Sequence, residues 1–468
     1  MASTLFDKLW QAHEVKELSG GRSLLYIDRI FLHERTGSVA LASLGQTGRG
    51  VRRSSQAFCT VDHIVDTLPG RSDQTLMPGG RDFIVSTRAA THAMGIQLFD
   101  IDDPRQGIVH VISPELGIAQ PGMTLVCPDS HTCTLGGLGA MAWGVGSTEA
   151  AHALATSTLR VARPKNHRVC FLGMLPAGTT AKDLILFTIR TLSAEGGAGH
   201  ALEFCGLAIS DLSVEGRLTL CNMATELSAF TGLIAPDDKV FDFVKGRSFA
   251  PTGDDWSQAE AQWRKLRSDP DAAYERDTRI SVSDLKPQLT WGTSPEHGMD
   301  WDDRIPCPEQ ASSATQREAW QRAQEYMQLS PGNRLADYPI DAAFLGSCTN
   351  SRLSDLRMAG QFLEKTGLKV APGVKALCVP GSGAVKQAAE EEGLREIFLQ
   401  AGFEWREPGC SLCFYAGGES LGGSARVMST TNRNFEGRQG PGVMTHLASP
   451  VSVVASACAG HPIAEAGC

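Results

Sequence analysis

The chain of 468 residues is 42% hydrophobic and 20% charged, and its formal net charge is −9 at pH 7. This composition excludes a disordered or fibrous protein, and the length predicts two or three domains. The acidic balance argues against a nucleic-acid partner, because phosphate binding requires a basic surface. It leaves room for a small anionic substrate, since a local group of arginines can reverse the field within one cleft.

The N-terminal segment and the cysteine content bear on the cellular compartment. Met1–Leu18 carries five charged residues and therefore lacks the uncharged core of a signal peptide. The longest apolar run, Val451–Gly460, is too short to span a bilayer. Thirteen cysteines, an odd number, predict reduced thiols that can serve as ligands. We expect a soluble, cytoplasmic protein without a membrane partner.

The first part of the chain alternates short apolar runs with helical patterns, which is typical of an α/β domain. Thr4–Ala12 predicts a capped amphipathic helix, and Leu24–Ile27 predicts a buried strand. Ile108–Ile112 and Leu125–Cys127 are further strand-like runs, and Ser147–Leu159 has a helical pattern.

Changes in composition suggest where the domains begin and end. A glycine-rich stretch opens a second α/β unit, and a polar segment with several prolines favours a linker. We predict an α/β protein with domains at residues 1–195, 196–310 and 339–468, and a linker at residues 311–338.

Three strand-like runs in the last third of the chain each end in a polar or glycine-rich loop. They are Ala342–Gly346, Val374–Val379 and Phe403–Trp405. In doubly wound sheets, ligands bind outside the carboxyl ends of the strands. The pattern therefore predicts one crevice that receives Cys348, a glycine-serine turn and Cys410.

Cys348, Cys410 and Cys413 are the first candidates for a metal centre. A lone C-x-x-C pattern occurs in zinc sites, redox pairs and iron–sulfur clusters. A structural zinc would require a fourth ligand in a paired motif, which the sequence lacks. Three thiolates on a four-iron cluster would leave one iron open to act as a Lewis acid. The spacing alone leaves a cluster, a zinc site and buried core cysteines as alternatives.

Histidines and carboxylates recur in loops that follow strand-like runs or glycine-rich turns. A carboxylate beside an imidazole can fix its tautomer and raise its pKa, which makes a proton donor for a poor leaving group. Each histidine alone is more often a hydrogen-bonded structural residue, and the repetition at strand ends shifts the balance toward catalysis. The candidates are Asp62, His63, His110, Asp129, His131 and Glu203.

The segment Asn432–Arg438 places Arg433 and Arg438 around a glycine. The planar fork of arginine suits bidentate binding of a carboxylate. Two solvated surface arginines are the alternative on this motif alone.

Taken together, these segments resemble the aconitase superfamily almost end to end, and within it the large subunits of isopropylmalate dehydratases. The resemblance implies a three-domain aconitase-type α/β/α architecture with a central cleft that holds an iron–sulfur cluster. The matching segments are Leu24–Asp28, Gln106–His110, Asp129–Thr132, Glu203–Gly206, Glu215–Arg217, Gly346–Arg352 and Asn432–Gly440.

The resemblance also implies roles for individual residues. Cys348, Cys410 and Cys413 would hold one [4Fe-4S] cluster per chain, and His63, paired with Asp62, would protonate the departing hydroxyl. The residues around iron-bound water and substrate would be His110, Asp129, His131 and Glu203. Those that contact the cluster or a substrate carboxylate would be His33, Ser130, Asn432, Arg433 and Arg438.

The activity implied is a hydro-lyase or isomerase that interconverts 2- and 3-alkylmalates, above all the isopropylmalates of leucine biosynthesis. A small partner subunit would supply the swivelling domain and the proton-abstracting base. The family usually has Asn where this chain has Ile64. Homoaconitate, methylmalate or citraconate, and aryl-substituted malates therefore stay alternatives. An iron-responsive RNA-binding role is a further alternative, against which the acidic charge argues.

Overall fold

The computed structural model describes residues 2–464. By contact density the chain divides into two compact units, each of which gathers segments distant in sequence. Unit 1 comprises Met1–Val65, Ser72–Met174 and Glu195–Ser283, and unit 2 comprises Asp66–Arg71, Leu175–Ala194 and Asp284–Cys468. The last four residues of the predicted third domain lie outside the described range.

Within the described residues the chain forms nineteen strands and fifteen α-helices. The strands are β1 (Glu14–Leu18), β2 (Arg22–Tyr26), β3 (Arg29–His33), β4 (Ala57–Thr60), β5 (Gln97–Phe99), β6 (Thr124–Cys127), β7 (Met141–Gly144), β8 (Thr158–Ala162), β9 (Lys165–Leu172), β10 (His200–Gly206), β11 (Thr231–Leu233), β12 (Arg276–Ser281), β13 (Gln288–Thr290), β14 (Gly298–Asp300), β15 (Ala342–Leu345), β16 (Lys375–Cys378), β17 (Glu404–Trp405), β18 (Arg426–Ser429) and β19 (Met444–Leu447). The helices are α1 (Leu5–His13), α2 (Glu34–Gln46), α3 (Gly80–Met94), α4 (Val109–Glu115), α5 (Ser147–Thr156), α6 (Ala181–Leu192), α7 (Leu207–Asp211), α8 (Val214–Asn222), α9 (Asp238–Val244), α10 (Gly253–Trp263), α11 (Ala314–Tyr326), α12 (Leu353–Thr366), α13 (Gly383–Glu391), α14 (Leu394–Ala401) and α15 (Pro450–Ala459).

The main sheet of unit 1 is parallel, with strand order β5-β4-β3-β6-β7. Its two faces bury separate apolar clusters: Phe31 and Phe58 face one cluster, and Leu32 and Cys59 face the other. Helices α2 and α5 contribute to the second cluster, and α4, α8, α9 and α10 to the first. A parallel sheet buried on both faces has continuous apolar strands. The apolar run predicted at Leu125–Cys127 is one of them, strand β6.

Two predictions for the first part of the chain had different outcomes. The N-terminal helix is confirmed as α1, where Thr4 Oγ1 accepts from Asp7 N in a capping box. The expectation of a strand at Ile108–Ile112 is wrong, because these residues form the start of α4. Residues 109–114 of α4 are all buried, so the helix shows no amphipathic pattern that would distinguish it from a buried strand.

Unit 1 also contains a parallel sheet of order β11-β10-β9-β12 and an antiparallel one of order β1-β2-β8. Strands β9 and β10 pair along the whole of β10, from His200 opposite Lys165 to Gly206 opposite Phe171. The predicted domain boundary after residue 195 therefore falls between two paired strands. The three-domain division stays a prediction, distinct from the division by contacts.

Unit 2 contains a parallel sheet of order β17-β16-β15-β18-β19 and the antiparallel pair β13-β14. The three strands predicted in the last third of the chain are confirmed as β15, β16 and β17. Because all five strands of the larger sheet are parallel, the loops after β15, β17 and β18 leave from the same edge. The predicted linker contains helix α11. Among the described helices, none has the length and apolarity needed to cross a membrane.

Candidate active-site residues

The carboxyl ends of β3, β4 and β6 bring a group of histidines and carboxylates together in unit 1. These three strands are neighbours, so the residues that follow them meet at one edge of the sheet. Asp129 is the centre of this group. One carboxylate oxygen lies 3.0 Å from His110 Nε2 and accepts from His131 N at 2.7 Å, and the other lies 3.3 Å from His63 Nε2.

Asp62 and His63 form a buried ion pair within this group. His63 Nδ1 lies 2.6 Å from Asp62 Oδ1, and Asp62 Oδ2 accepts from Val109 N at 2.9 Å. Burial disfavours a charged imidazole, but the carboxylates of Asp62 and Asp129 outweigh burial and hold the pKa of His63 well above its ordinary value. His63 therefore carries a proton at neutral pH, with Nε2 directed toward Asp129.

Asp129 remains ionised despite its burial. Desolvation alone would raise its pKa, but the charge and hydrogen bond of His110, with hydrogen bonds from His131 and His63, hold the pKa well below the usual value. An acceptor surrounded by three imidazoles orients each ring toward one point.

His33 is a neutral ring that packs against His63. Its ring stacks on that of His63 with centroids 4.1 Å apart and planes 24° apart. Its Nε2 lies 2.9 Å from Thr36 Oγ1 and 3.3 Å from Pro128 O. Complete burial, with the neighbouring charge of His63, lowers its pKa to about 4. His33 is therefore neutral and fixes the face of the His63 ring.

Ser130 and His131 complete the predicted set in this group. Ser130 is exposed, with Oγ 3.4 Å from His131 Nδ1. The other ring nitrogen of His131, Nε2, lies 3.0 Å from Glu226 Oε1. Glu226 was not predicted from the sequence.

Glu203 lies elsewhere in unit 1, on strand β10, which differs from the expectation. Its two carboxylate oxygens accept from Ser268 Oγ at 2.8 and 2.7 Å. Burial raises its pKa. The carboxylate that contacts the histidine group in the expected manner is that of Glu226.

The three candidate cysteines follow two strands of the parallel sheet in unit 2. Cys348 follows β15, and Cys410 and Cys413 follow β17; all are buried, with 6%, 3% and 4% exposure. Cys410 and Cys413 are joined by a disulfide, with Cα atoms 5.4 Å apart, whereas free thiolates were expected. Two sulfurs this close can bind one metal group once reduced, as the C-x-x-C spacing allows.

The backbone next to these cysteines is strained. Ser347 and Ser411 adopt positive φ angles of 77° and 49°, a region that non-glycine residues seldom occupy. Ser347 precedes Cys348, and Ser411 lies between Cys410 and Cys413. Such strain persists where surrounding contacts enforce it, and it concentrates at functional sites.

One hydrogen-bond network joins the loops after β15, β17 and β18. Gln439 Nε2 donates to Leu412 O at 2.7 Å and to Ser429 Oγ at 3.3 Å. Asn432 Nδ2 lies 3.4 Å from Cys348 Sγ. Three buried sulfurs on loops that share one network fit an iron–sulfur cluster with three protein ligands.

Lys182, on helix α6, adds a buried positive charge to this network. Its Nζ donates to Thr430 O and Thr431 O, both at 2.7 Å, and lies 3.4 Å from Asn350 Oδ1. The side chain is fully buried. Lys182 therefore links the loop that carries Cys348 to the loop that carries Asn432. It is a second residue that the sequence analysis missed.

The two candidate arginines are both half-buried. The Arg438 guanidinium lies over the rings of Phe414 and Phe435, 4.7 and 5.4 Å from their centroids. Stacking of this kind holds the planar fork in one orientation.

A model of the aconitase family (aconitate hydratase) matches residues 7–460. The chain belongs to the aconitase family. This aconitase-family chain is 50% identical over 457 residues to "3-isopropylmalate dehydratase large subunit 1" of Bradyrhizobium diazoefficiens, with 98% of this chain and 95% of that protein covered. Among solved structures it is similar to holo-form aconitase X of Thermococcus kodakaraensis, with 13% identity, a TM-score of 0.47, and 88% and 84% of the two chains covered.

The sequence offered a weak signal for the missed carboxylate of this aconitase-family chain. Glu226 lies in a short 3-10 helix, Met223–Leu227, directly after α8. A helix and not a strand directly precedes it, so the pattern of polar residues after strands does not include it. Its place near the end of a helix is the one local feature that marks it.

Proposed function

We propose that this chain is the large subunit of an iron–sulfur hydro-lyase that interconverts 2- and 3-alkylmalates, with 2- and 3-isopropylmalate as its substrates. The relative from Bradyrhizobium diazoefficiens, half identical over nearly the whole chain, supports this substrate pair. The observation that carries the reaction type is the buried Asp62–His63 pair, 2.6 Å apart, which keeps a proton ready for a poor leaving group.

The cofactor in this proposal is one [4Fe-4S] cluster, held by Cys348, Cys410 and Cys413 as thiolates. When bound, it supplies a Lewis acid that polarises the substrate hydroxyl. Asn432, 3.4 Å from Cys348 Sγ, is positioned to donate to a cluster ligand. Hydrogen bonds to ligand sulfurs tune such centres.

In this proposal, different protein residues have different roles in dehydration. His63 gives its proton to the departing hydroxyl, while Asp62 holds the tautomer and Asp129 holds the ring. His110 and His131, each bonded to Asp129, orient water and substrate. Rehydration at the neighbouring carbon reverses these proton transfers and completes the isomerisation.

Arg433 and Arg438, with Ser130, bind the substrate carboxylates in this proposal. Replacing Arg433 with lysine is expected to raise KM by about tenfold, because an ammonium cannot reproduce two parallel hydrogen bonds. Steady-state kinetics of the alkene assay measure the change. Wild-type KM and kcat in both the Arg433→Lys and the Arg438→Lys variants would assign these side chains to the solvated surface.

Glu226 takes the role first expected of Glu203. Glu226→Gln removes a charged acceptor from His131, and we expect kcat to fall by about 10- to 100-fold, the range of a lost charge-assisted hydrogen bond. Glu203→Gln is the matched comparison and should produce a smaller loss. The reverse order of the two variants, measured at equal cluster content, would restore Glu203 to the active site.

A small partner subunit completes the proposed enzyme. The relative is named a large subunit, and the residues assigned above leave the carbon-bound proton without a base. A swivelling domain on the partner would supply that base and exclude water as it closes. A cytoplasmic location is part of the proposal, in keeping with the ten cysteines among the described residues that form no disulfide.

The decisive experiment is anaerobic reconstitution with iron and sulfide, followed by alkene absorbance assays on a series of alkylmalates. We expect negligible turnover by the chain alone and a gain of orders of magnitude on adding the small subunit. Isopropylmalate should give the highest kcat/KM. A higher value for another alkylmalate would correct the substrate, and full turnover by the isolated chain would mean that the base lies on this chain. No alkene from any alkylmalate would overturn the proposal.

A further inference from the structure

The carboxylate of Glu34 is fully buried and lies under the turn that carries Asp62 and His63. Its two oxygens accept backbone N–H groups from three consecutive residues: Asp62 at 3.0 Å, His63 at 2.7 Å, and Ile64. These residues follow β4, whereas Glu34 begins α2 after the neighbouring strand β3. One side chain thus satisfies the backbone donors of an entire turn.

These three hydrogen bonds are strongest when the Glu34 carboxylate is ionised. Burial and the charge of Asp62 raise the pKa of Glu34 to about 7, while His63 and the backbone donors oppose the rise. Its place in the first turn of α2 also favours the charged form, because the helix N-terminus carries partial positive charge. A buried carboxylate without such partners would be strongly destabilising.

Two adjacent residues, His33 and Glu34, contact the side chain and the backbone of His63. Glu34 binds the backbone N–H of His63, and His33 stacks on its imidazole at 4.1 Å. The ring must also reach Asp62 and Asp129 with its two nitrogens, 2.6 and 3.3 Å away. A small rotation of the 62–64 turn would disturb both contacts.

We propose that Glu34 is a positioning residue that clamps the 62–64 turn and thereby aims His63 Nε2 at the reacting hydroxyl. This inference rests on the proposed function for its kinetic consequence. Glu34 acts through the backbone of the turn and makes no contact with substrate. Its removal should therefore affect kcat far more than KM.

The test compares Glu34→Gln in the wild-type background and in the His63→Gln background, in the reconstituted complex with the small subunit. Glutamine keeps the shape, but its amide NH2 opposes one backbone donor. In the wild type we expect kcat to fall by about 10- to 100-fold, as for a misplaced catalytic group, with KM within about twofold. In the His63→Gln background the same change should have little further effect, because the clamped group is already absent.

Asp28→Asn is the control, since the Asp28 carboxylate lies in the same unit and also accepts a backbone N–H, from Thr124 at 2.8 Å. It should leave kcat close to wild type. Equal losses from Glu34→Gln in both backgrounds would reduce Glu34 to a structural residue and overturn the inference. If Glu34→Gln fails to fold, Glu34→Asp, which keeps the charge but shortens the reach, replaces it in the same cycle.

A spectroscopic arm separates this inference from the proposed function. The ε1 resonance of His63, in the chain labelled at its histidines, reports the ring environment without any turnover. Glu34→Gln should shift it and leave that of His446 unchanged. If the wild-type complex makes no alkene but Glu34→Gln shifts the His63 resonance, the proposed function is wrong and the positioning role of Glu34 is supported. An unmoved His63 resonance overturns the clamp whatever the activity.

Discussion

Replacing Cys410 with serine is expected to remove the iron–sulfur cluster and to lower dehydratase activity by about 10³-fold or more, since a Lewis-acid metal supplies several kcal/mol of transition-state stabilisation. Serine binds iron poorly at neutral pH because its hydroxyl, unlike a thiol, stays protonated. Cys410 is 3% exposed and adjoins the strained residue Ser411, so water is a poor substitute ligand there. Visible absorbance, with iron and sulfide per chain after anaerobic reconstitution, measures the loss.

Cys307→Ser is the control for this prediction. Cys307 is a free, half-buried thiol at the start of a short 3-10 helix, far along the chain from the three candidates. It should load the cluster as the wild type does, and Cys348→Ser and Cys413→Ser should behave like Cys410→Ser. A Cys410→Ser chain with full absorbance and activity would refute the ligand assignment.

Three of the five strands described in the last third of the chain could be predicted, because β15, β16 and β17 are short apolar runs with clear ends. Strands β18 and β19 were not predicted. The loop after β15 begins with the polar segment that contains Cys348, and the turn after β16 is rich in glycine. Helix α4 could not be recognised in the same way, because burial on all its sides removes the periodic pattern. Local sequence therefore predicts elements that have one solvated face or a clear boundary. It does not predict the type of an element that is buried on all sides.

The grouping of histidines and carboxylates in unit 1 could be predicted from where the strands end. His63 and Asp129 follow strands of one parallel sheet, so their meeting at one edge follows from topology. Glu226, Glu34 and Lys182 escaped prediction because each lies at a helix end or start and acts across a long separation in sequence. Their local sequence is ordinary, and it is a tertiary contact that distinguishes each of them.

Replacing His63 with glutamine should lower kcat by about 10²- to 10⁴-fold, the usual contribution of general acid–base catalysis. Glutamine retains a side-chain hydrogen bond to Asp62 but has no proton to give to a departing hydroxyl. Cluster content and KM should stay near wild type, because His63 is assigned no role in holding the cluster or in binding the substrate. Steady-state rates on isopropylmalate, with iron per chain as the check on loading, measure the effect.

The ion pair with Asp62 adds a pH signature to this prediction. Burial opposes the imidazolium, but Asp62 and Asp129 outweigh it and hold the pKa of His63 well above its ordinary value. The ring is therefore protonated through neutral pH, and proton donation is lost as pH rises through that elevated pKa. Asp62→Asn removes one supporting charge and lowers the pKa, so the alkaline limb of the kcat profile should move to lower pH. An unchanged alkaline limb in Asp62→Asn would mean that another group donates the proton.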